Sequence, residues 1–355
     1  MVTQKMETKT KEVKALPKVA VVILNWNGRK YLERFLPALM QSTYPHVEYY
    51  IGDNASTDDS LFFLEREYPQ VKIIQNTENF GFAEGYNRVL SQIKADYYVL
   101  LNSDLEVSEG WIEPVISFLE RDSEKVAAQP KILSYREKEK FEHAGAAGGF
   151  LDEYGFPFCR GRILNHTETD RGQYDDEMEV FWASGAALFI KSWAWKEAGG
   201  LDGDFFAHME EIDLCWRLKA MGYSVWAVPQ SVVYHVGGGT LSVENPQKTY
   251  LNFRNSLYML QKNLPLGTAV FRIFIRFWMD FAALLVFLFQ GKPRNAWAVS
   301  RAHQTFFKNF RKNARKRKSI QQNASLKGTY NGWIVWKSMV NKIYRFSDLD
   351  KNNFV

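Results

Sequence analysis

Val19-Ala-Val-Val-Ile-Leu-Asn-Trp-Asn-Gly28 governs how this 355-residue chain is read. Its first six residues are apolar, mostly β-branched and unbroken, the pattern of a strand covered on both faces. Its last four are polar or turn-forming. The same grammar recurs downstream. A helix-like stretch from Tyr31 to Gln41 leads to Val47-Glu-Tyr-Tyr-Ile51, one from Ser60 to Tyr68 leads to Val71-Lys-Ile-Ile74, and one from Ala83 to Ile93 leads to Tyr97-Tyr-Val-Leu-Leu101. This alternation predicts an α/β fold whose sheet is mostly parallel at its start, with helices on its flanks.

Ligands of such sheets sit beyond the carboxyl ends of the strands. Four successive strand ends here carry Asn25-Trp-Asn-Gly28, Asp53-Asn-Ala-Ser-Thr-Asp-Asp-Ser60, Asn76 to Asn79, and Asn102-Ser-Asp104. Asn25, Asp53, Asn54, Asn102 and Ser103 are therefore candidates to line one crevice. Ser56 or Thr57 is the expected cap of the next helix, and Asp58 and Asp59 suit its dipole. That leaves the Asp53 carboxylate without a capping duty and able to accept hydrogen bonds from a nucleotide base or ribose. Asn79-Phe-Gly-Phe-Ala-Glu-Gly-Tyr-Asn87 places Gly81 where a backbone can approach a ligand, with Phe82 beside it and Asn87 further along the helix. Asp104 is either a turn residue or a ligand for a hard divalent ion bridging two phosphates.

A second acidic centre opens a helix at Glu210-Glu-Ile-Asp-Leu-Cys-Trp-Arg217. Glu211 has a carboxylate neighbour and an apolar approach through Phe205 and Phe206. Both features raise a carboxyl pKa, which suits a general base near neutrality. Asp213 and Arg217, four apart, can pair with each other. His235 follows the strand Tyr223 to Val228 and precedes Gly237-Gly-Gly239. It is either a satisfied structural histidine or a metal or diphosphate contact. Lys248 and Arg254 could meet an acceptor phosphate or face water.

Between these centres, Phe141 to Glu179 is glycine-rich and irregular, as substrate loops and lids are. Val180 to Ile190 reads as an apolar strand with a small-residue bend. Beyond Gly267 the chain turns very apolar, yet Arg272, Arg276 and Asp280 interrupt it at steps of four. They form one stripe on which Arg276 and Asp280 can pair. The uncharged remainder, Phe281 to Gln290, is too short to cross a bilayer. An amphipathic helix lying in the membrane interface is the favoured reading. Packing on the catalytic domain, or on a second copy of the chain in a homo-oligomer, is the alternative.

The net charge is only +5, but Lys308 to Lys318 carries seven basic residues and no acid. That run suits an anionic membrane surface or a phosphorylated partner, or is a solvated tail. No nucleic-acid partner is expected. Cys159 and Cys215 lie far apart without metal-ligand spacing, which fits a reduced, cytoplasmic compartment. The first sixteen residues lack an apolar run, so a signal peptide is not expected there and a short disordered lead is.

The order of these pieces resembles the family 2 glycosyltransferases of GT-A fold, particularly the rhamnosyltransferase-like bacterial members that build surface polysaccharides. The likeness runs from about Lys18 to Asn255. It rests on Val22 to Gly28, Asp53 to Asp58, Asn79 to Asn87, Leu100 to Asp104, Trp182-Ala-Ser-Gly-Ala186 and Glu210 to Arg217, with His235 beyond. The resemblance implies a Rossmann-like GT-A domain over residues 18–260, a lead over 1–17 and a helical, membrane-associating extension over 261–355. It implies an inverting enzyme dependent on Mn2+ or Mg2+, with Glu211 as base and Asp53 on the nucleotide. Asp104 matches the last carboxylate of the family's DxD motif, and His235 matches a residue that helps bind metal or diphosphate. Trp182, Glu210, Asp213, Lys248 and Arg254 are the acceptor or diphosphate candidates.

Two departures stand out: the DxD is reduced to Asn102-Ser-Asp104, and the base is Glu where many relatives carry Asp. The expected donor is dTDP-rhamnose or a UDP-hexose, and the expected acceptor is polyprenyl-linked or a glycan at the inner face of the cytoplasmic membrane. A sugar-phosphate nucleotidyltransferase and a non-catalytic sugar-nucleotide-binding adaptor are the alternatives.

Overall fold

The computed structural model describes residues 15–237, 245–317 and 327–355. Most of the expected lead, together with Gly238, Gly239 and Lys318, lies outside the described residues. The first half alternates as the sequence pattern requires: β1 (Val19–Asn25), α1 (Arg29–Leu39), β2 (Val47–Asp53), α2 (Ser60–Glu67), β3 (Lys72–Gln75), α3 (Gly81–Leu90) and β4 (Tyr97–Leu101). There follow β5 (Leu105–Val107), α4 (Ile112–Leu119) and β6 (Lys125–Ser134). Five short strands come next: β7 (Gly149–Asp152), β8 (Pro157–Cys159), β9 (Arg162–Ile163), β10 (His166–Thr167) and β11 (Met178–Val180). Then come β12 (Ala187–Lys191), α5 (Ser192–Glu197), α6 (Glu210–Ala220) and β13 (Ser224–His235). The chain closes with α7 (Pro246–Asn263), α8 (Leu266–Phe289), α9 (Pro293–Arg317), β14 (Thr329–Tyr330) and α10 (Ile334–Met339).

The main sheet has the order β11-β13-β6-β12-β4-β1-β2-β3, with β5 paired on β13. Its β3-β2-β1-β4 half is parallel, whereas β12 runs antiparallel to both β4 and β6. Alternate residues of β1 explain its unbroken apolar run. Val19, Val21 and Ile23 enter one core cluster, and Ala20 and Val22 enter the other, so helices cover both faces. Register aligns Asn25 with Asp53 and Ile23 with Leu101, which brings the polar strand ends to a single edge.

Four expectations need correction. The stretch from Phe141 to Glu179 is not an irregular lid, because it folds into a second sheet of order β10-β9-β8-β7-β14. Its strands are two to four residues long and are joined through glycines at positive φ such as Gly155 and Gly161, too short for any periodicity to show. The apolar stretch from Val180 to Ile190 is split between β11 at the sheet's end and β12 at its centre. Strand β13 continues past Val228 through a bulge, so His235 lies on the strand, opposite Leu105 and Ser134. The boundary at 260/261 falls inside α7, and residues 327–355 return to the body: β14 pairs with β7, and the buried Asp152 carboxylate accepts from Ile334 N at 3.0 Å.

Helix α8 is amphipathic with its polarity turned inward. Arg276 and Asp280 are buried and 3.3 Å apart, Arg276 donates to Tyr154 O and Ser256 Oγ, and His303 Nε2 lies 2.9 Å from Asp280. Buried charges are tolerable only with such partners. Outward-facing Val270, Phe271, Phe274, Trp278, Phe281, Leu285 and Phe289 are exposed instead. Among the described residues no helix is long and apolar enough to cross a membrane.

Candidate active site

The carboxyl edge of β1, β2 and β4 carries a connected polar network. Asn25 is fully buried and donates through Nδ2 to Asp53 Oδ1 and Ser56 Oγ, both at 3.0 Å, while its Oδ1 has no partner among the described residues. A side chain at position 28 would collide with that oxygen, which accounts for Gly28. Asp53 does have a local duty, contrary to expectation: its Oδ2 accepts Ser56 N at 2.9 Å and holds the turn. Nor do Ser56 or Thr57 cap α2; Asp58 Oδ1 accepts Ser60 N at 3.1 Å. Asn54 donates to Gly81 O at 2.9 Å and accepts from Asn76 at 2.8 Å. Gly81 needs its φ of +75°, and a Cβ there would strike the ring of Phe206. Asn87 is occupied elsewhere, its amide pairing with both N and O of Leu201 at 2.9 and 2.7 Å.

Asp104 and His235 meet because β5 pairs with the end of β13. His235 Nε2 lies 3.1 Å from Asp104 Oδ1 and 3.4 Å from Asn102 Nδ2, and Ser103 Oγ sits near Gly28. On its other side His235 Nδ1 is 3.2 Å from Glu142 Oε2, at ion-pair distance though off the line of a hydrogen bond. Burial alone would lower the imidazole pKa, but the two carboxylates overcome it and push the pKa up to about 10. Burial works to raise the Glu142 pKa, and His235 more than reverses that. Glu142 went unnoticed in the sequence, being one acid in an irregular stretch. Gly237, whose Cβ would come within 2.6 Å of Glu142 Oε1, was its only trace.

Among the described residues no group of three His, Cys, Asp or Glu stands ready to hold a metal alone. A carboxylate and an imidazole with a second carboxylate behind it nevertheless fit a divalent ion that displaces the imidazolium proton and takes its remaining ligands from a diphosphate.

Glu210 and Glu211 have no such cation among the described residues. Each keeps a buried oxygen, Oε2, without a hydrogen-bond partner among the described residues. Burial pushes the Glu211 carboxyl up to about 7, against the pull of N–H groups at the head of α6. Burial, and then Glu211 itself, raise Glu210 well above the carboxylate range. Glu210 is buried, while Glu211 is partly open beside Gly185 and Phe82. The bend in Trp182-Ala-Ser-Gly-Ala186 thus gives the base room, and any side chain at 185 would crowd both neighbours.

The remaining candidates separate cleanly. Asp213 is sequestered by Arg217, Lys262 and Asn263 at about 3 Å. Trp182 is buried and donates to Phe150 O at 2.9 Å. Arg254 donates to the carbonyls of Asp204 and Phe205. None of these three is free to meet an acceptor. Lys248 is half-buried, and burial lowers its pKa against the pull of Glu142. Tyr86, not foreseen, is fully buried under the crevice and donates to Val22 O or Leu101 O.

Residues 20–196, about half the chain, match the family model Glycosyl transferase family 2. This chain belongs to that family. It is 26% identical, over 61% of its own length and 75% of the relative's, to N-acetylglucosaminyl-diphospho-decaprenol L-rhamnosyltransferase of Mycobacterium tuberculosis. Two solved structures share its fold. GalNAc-T7 with UDP, GalNAc and Mn2+ matches at TM-score 0.56 and 16% identity, over 70% of this chain and 48% of that one. The mannosyltransferase PcManGT of Pyrobaculum calidifontis, with GDP-Man and Mn2+, matches at TM-score 0.52 and 15% identity, over 93% of this chain and 89% of that one. The family 2 glycosyltransferase is thus an enzyme of GT-A fold with a helical C-terminal extension. Membership sets aside both alternatives, the nucleotidyltransferase and the non-catalytic adaptor.

Proposed function

We propose that this glycosyltransferase catalyses inverting transfer of a sugar from a nucleoside diphosphate, dTDP-rhamnose or a UDP-hexose, to a hydroxyl of a lipid-linked or polysaccharide acceptor in cell-surface glycan synthesis. The observation that carries this is the Glu211 carboxylate beside the crevice, whose Oε2 has no hydrogen-bond partner among the described residues and whose pKa burial pushes up to about 7. Glu211 takes the acceptor hydroxyl proton as the oxygen forms its bond to the anomeric carbon and the carbon–phosphate-oxygen bond breaks behind it. Asn25, Asp53 and Asn54 frame the nucleotide end of the donor. Asp104 and His235 would hold Mn2+ or Mg2+, which when bound offsets charge on the leaving diphosphate. Glu142 keeps the imidazole aimed. The Mycobacterium tuberculosis relative, named for L-rhamnosyl transfer to a decaprenyl diphosphate-linked sugar, favours rhamnose and a polyprenyl carrier. Mass spectrometry of products from a panel of nucleotide sugars and polyprenyl-linked acceptors tests the reading; no transfer from any dTDP or UDP sugar would overturn it.

The same reading seats the enzyme on the cytoplasmic face of an anionic membrane. Its support is the uncharged outer face of α8 beside exposed Lys308, Arg311 and Arg315 of α9. Flotation should depend on anionic lipid and be lost in Phe274→Glu/Trp278→Glu. Concentration-dependent dimerisation without vesicle binding would assign the face to a second copy.

A further inference from the structure

The segment from Asp204 to Met209 joins two parts of the site through a backbone that ordinary side chains resist. Phe206, His208 and Met209 all hold positive φ, at 65°, 70° and 73°. Such conformations persist only where the surroundings over-determine them. At one end, Phe206 O accepts Phe82 N at 2.6 Å and Ala83 N at 3.1 Å, which fastens the segment to the head of α3. At the other, Met209 leads directly into Glu210 and Glu211.

What holds it comes from α7, some fifty residues later. Asn255 is fully buried, and its Nδ2 lies 3.0 Å from Phe205 O, 2.9 Å from Ala207 O and 2.7 Å from His208 O. Its Oδ1 accepts Arg254 Nε at 2.9 Å, which fixes the amide so that its hydrogens face the carbonyls. Arg254 Nη2 adds bonds to Asp204 O at 3.0 Å and Phe205 O at 2.8 Å. Lower down, Lys262 and Asn263 bind Asp213, so the body of α6 has its own anchor. The Arg254–Asn255 pair acts on the segment before the helix, where the direction of Glu211 is decided.

We propose that Arg254 and Asn255 are positioning residues that aim the catalytic base by clamping the backbone of residues 204–209. The inference rests on the assignment of Glu211 as base. A base misplaced by about 1 Å can cost about 100-fold in rate. Asn255→Ala should therefore lower the transfer kcat by about 100-fold while the dissociation constant of the donor nucleotide changes little, alongside the lower melting temperature that the unpaired buried carbonyls bring. Arg254→Lys, which keeps a cation but cannot fix the amide, should lie between wild type and Arg254→Ala. A purely structural role predicts instead that kcat and donor affinity fall together.

The decisive background is Glu211→Gln. If the clamp works through Glu211, adding Asn255→Ala to Glu211→Gln should cost no further rate, because interacting residues are non-additive. A full multiplicative loss in the double variant would overturn the proposal, as would a folded Asn255→Ala within about twofold of wild type. Should Asn255→Ala fail to fold, Arg254→Lys in both backgrounds decides the matter by the same criteria. Wild-type transfer by Glu211→Gln alone would refute the base assignment, a result separate from failure of the clamp.

Discussion

The two acidic centres are built from the same chemistry and end in opposite states. Asp104 and Glu142 flank one buried imidazole, whose pKa is pushed up to about 10, and burial is offset by charge. Glu210 and Glu211 adjoin one another at the head of α6 with no cation in contact among the described residues, and burial prevails. The difference teaches that a partner decides what a buried carboxylate can do. The paired set holds a positive charge between its members and so suits a cation; the unpaired one can take up a proton near neutrality.

Breaking the unpaired centre should have the largest effect. Glu211→Gln is expected to lower transfer by about 10³-fold with donor affinity intact, measured as kcat against a binding titration. Breaking the paired centre comes next. Asp104→Asn or removal of divalent ions with a chelator should lower transfer by about 10²-fold, and added Mn2+ should restore only the wild type. Glu142→Gln, which leaves both proposed ligands in place, should weaken apparent metal affinity by about tenfold, read from a Mn2+ activation curve.

The smallest effect sharpens the comparison through stability. A buried carboxyl with a folded pKa near 7 stabilises the fold when protonated. That contribution is full below its unfolded pKa and is lost as pH rises through about 7. Glu211→Gln should therefore raise the melting temperature relative to wild type at pH 8 more than at pH 5, by differential scanning calorimetry.

Much of this was legible in the sequence where one element sufficed. The β1 run, the polar residues after β2 and β4, and the acidic start of α6 each declare themselves within ten residues. So did the Arg276–Asp280 stripe, although spacing alone could not tell that it faces inward. What escaped was made by distant pairing. Glu142 acquires meaning only when β13 brings His235 to it. The second sheet needs β14, about 180 residues after β7. Arg254 and Asn87 read as free polar groups, and Asn255 as nothing in particular, because the carbonyls they hold lie in other elements. Asp53 looked unemployed because a turn bond three residues long leaves no pattern.

The claim that the unpaired carboxylate is the base is tested most directly by the pH dependence of the transfer step, followed in single turnover with saturating donor and Mn2+. Wild type should show a rate that falls below a limb near pH 7, and Glu211→Gln should show a low, nearly pH-independent residue with that limb gone. A limb that survives unchanged in Glu211→Gln would contradict the account and give the base to another group.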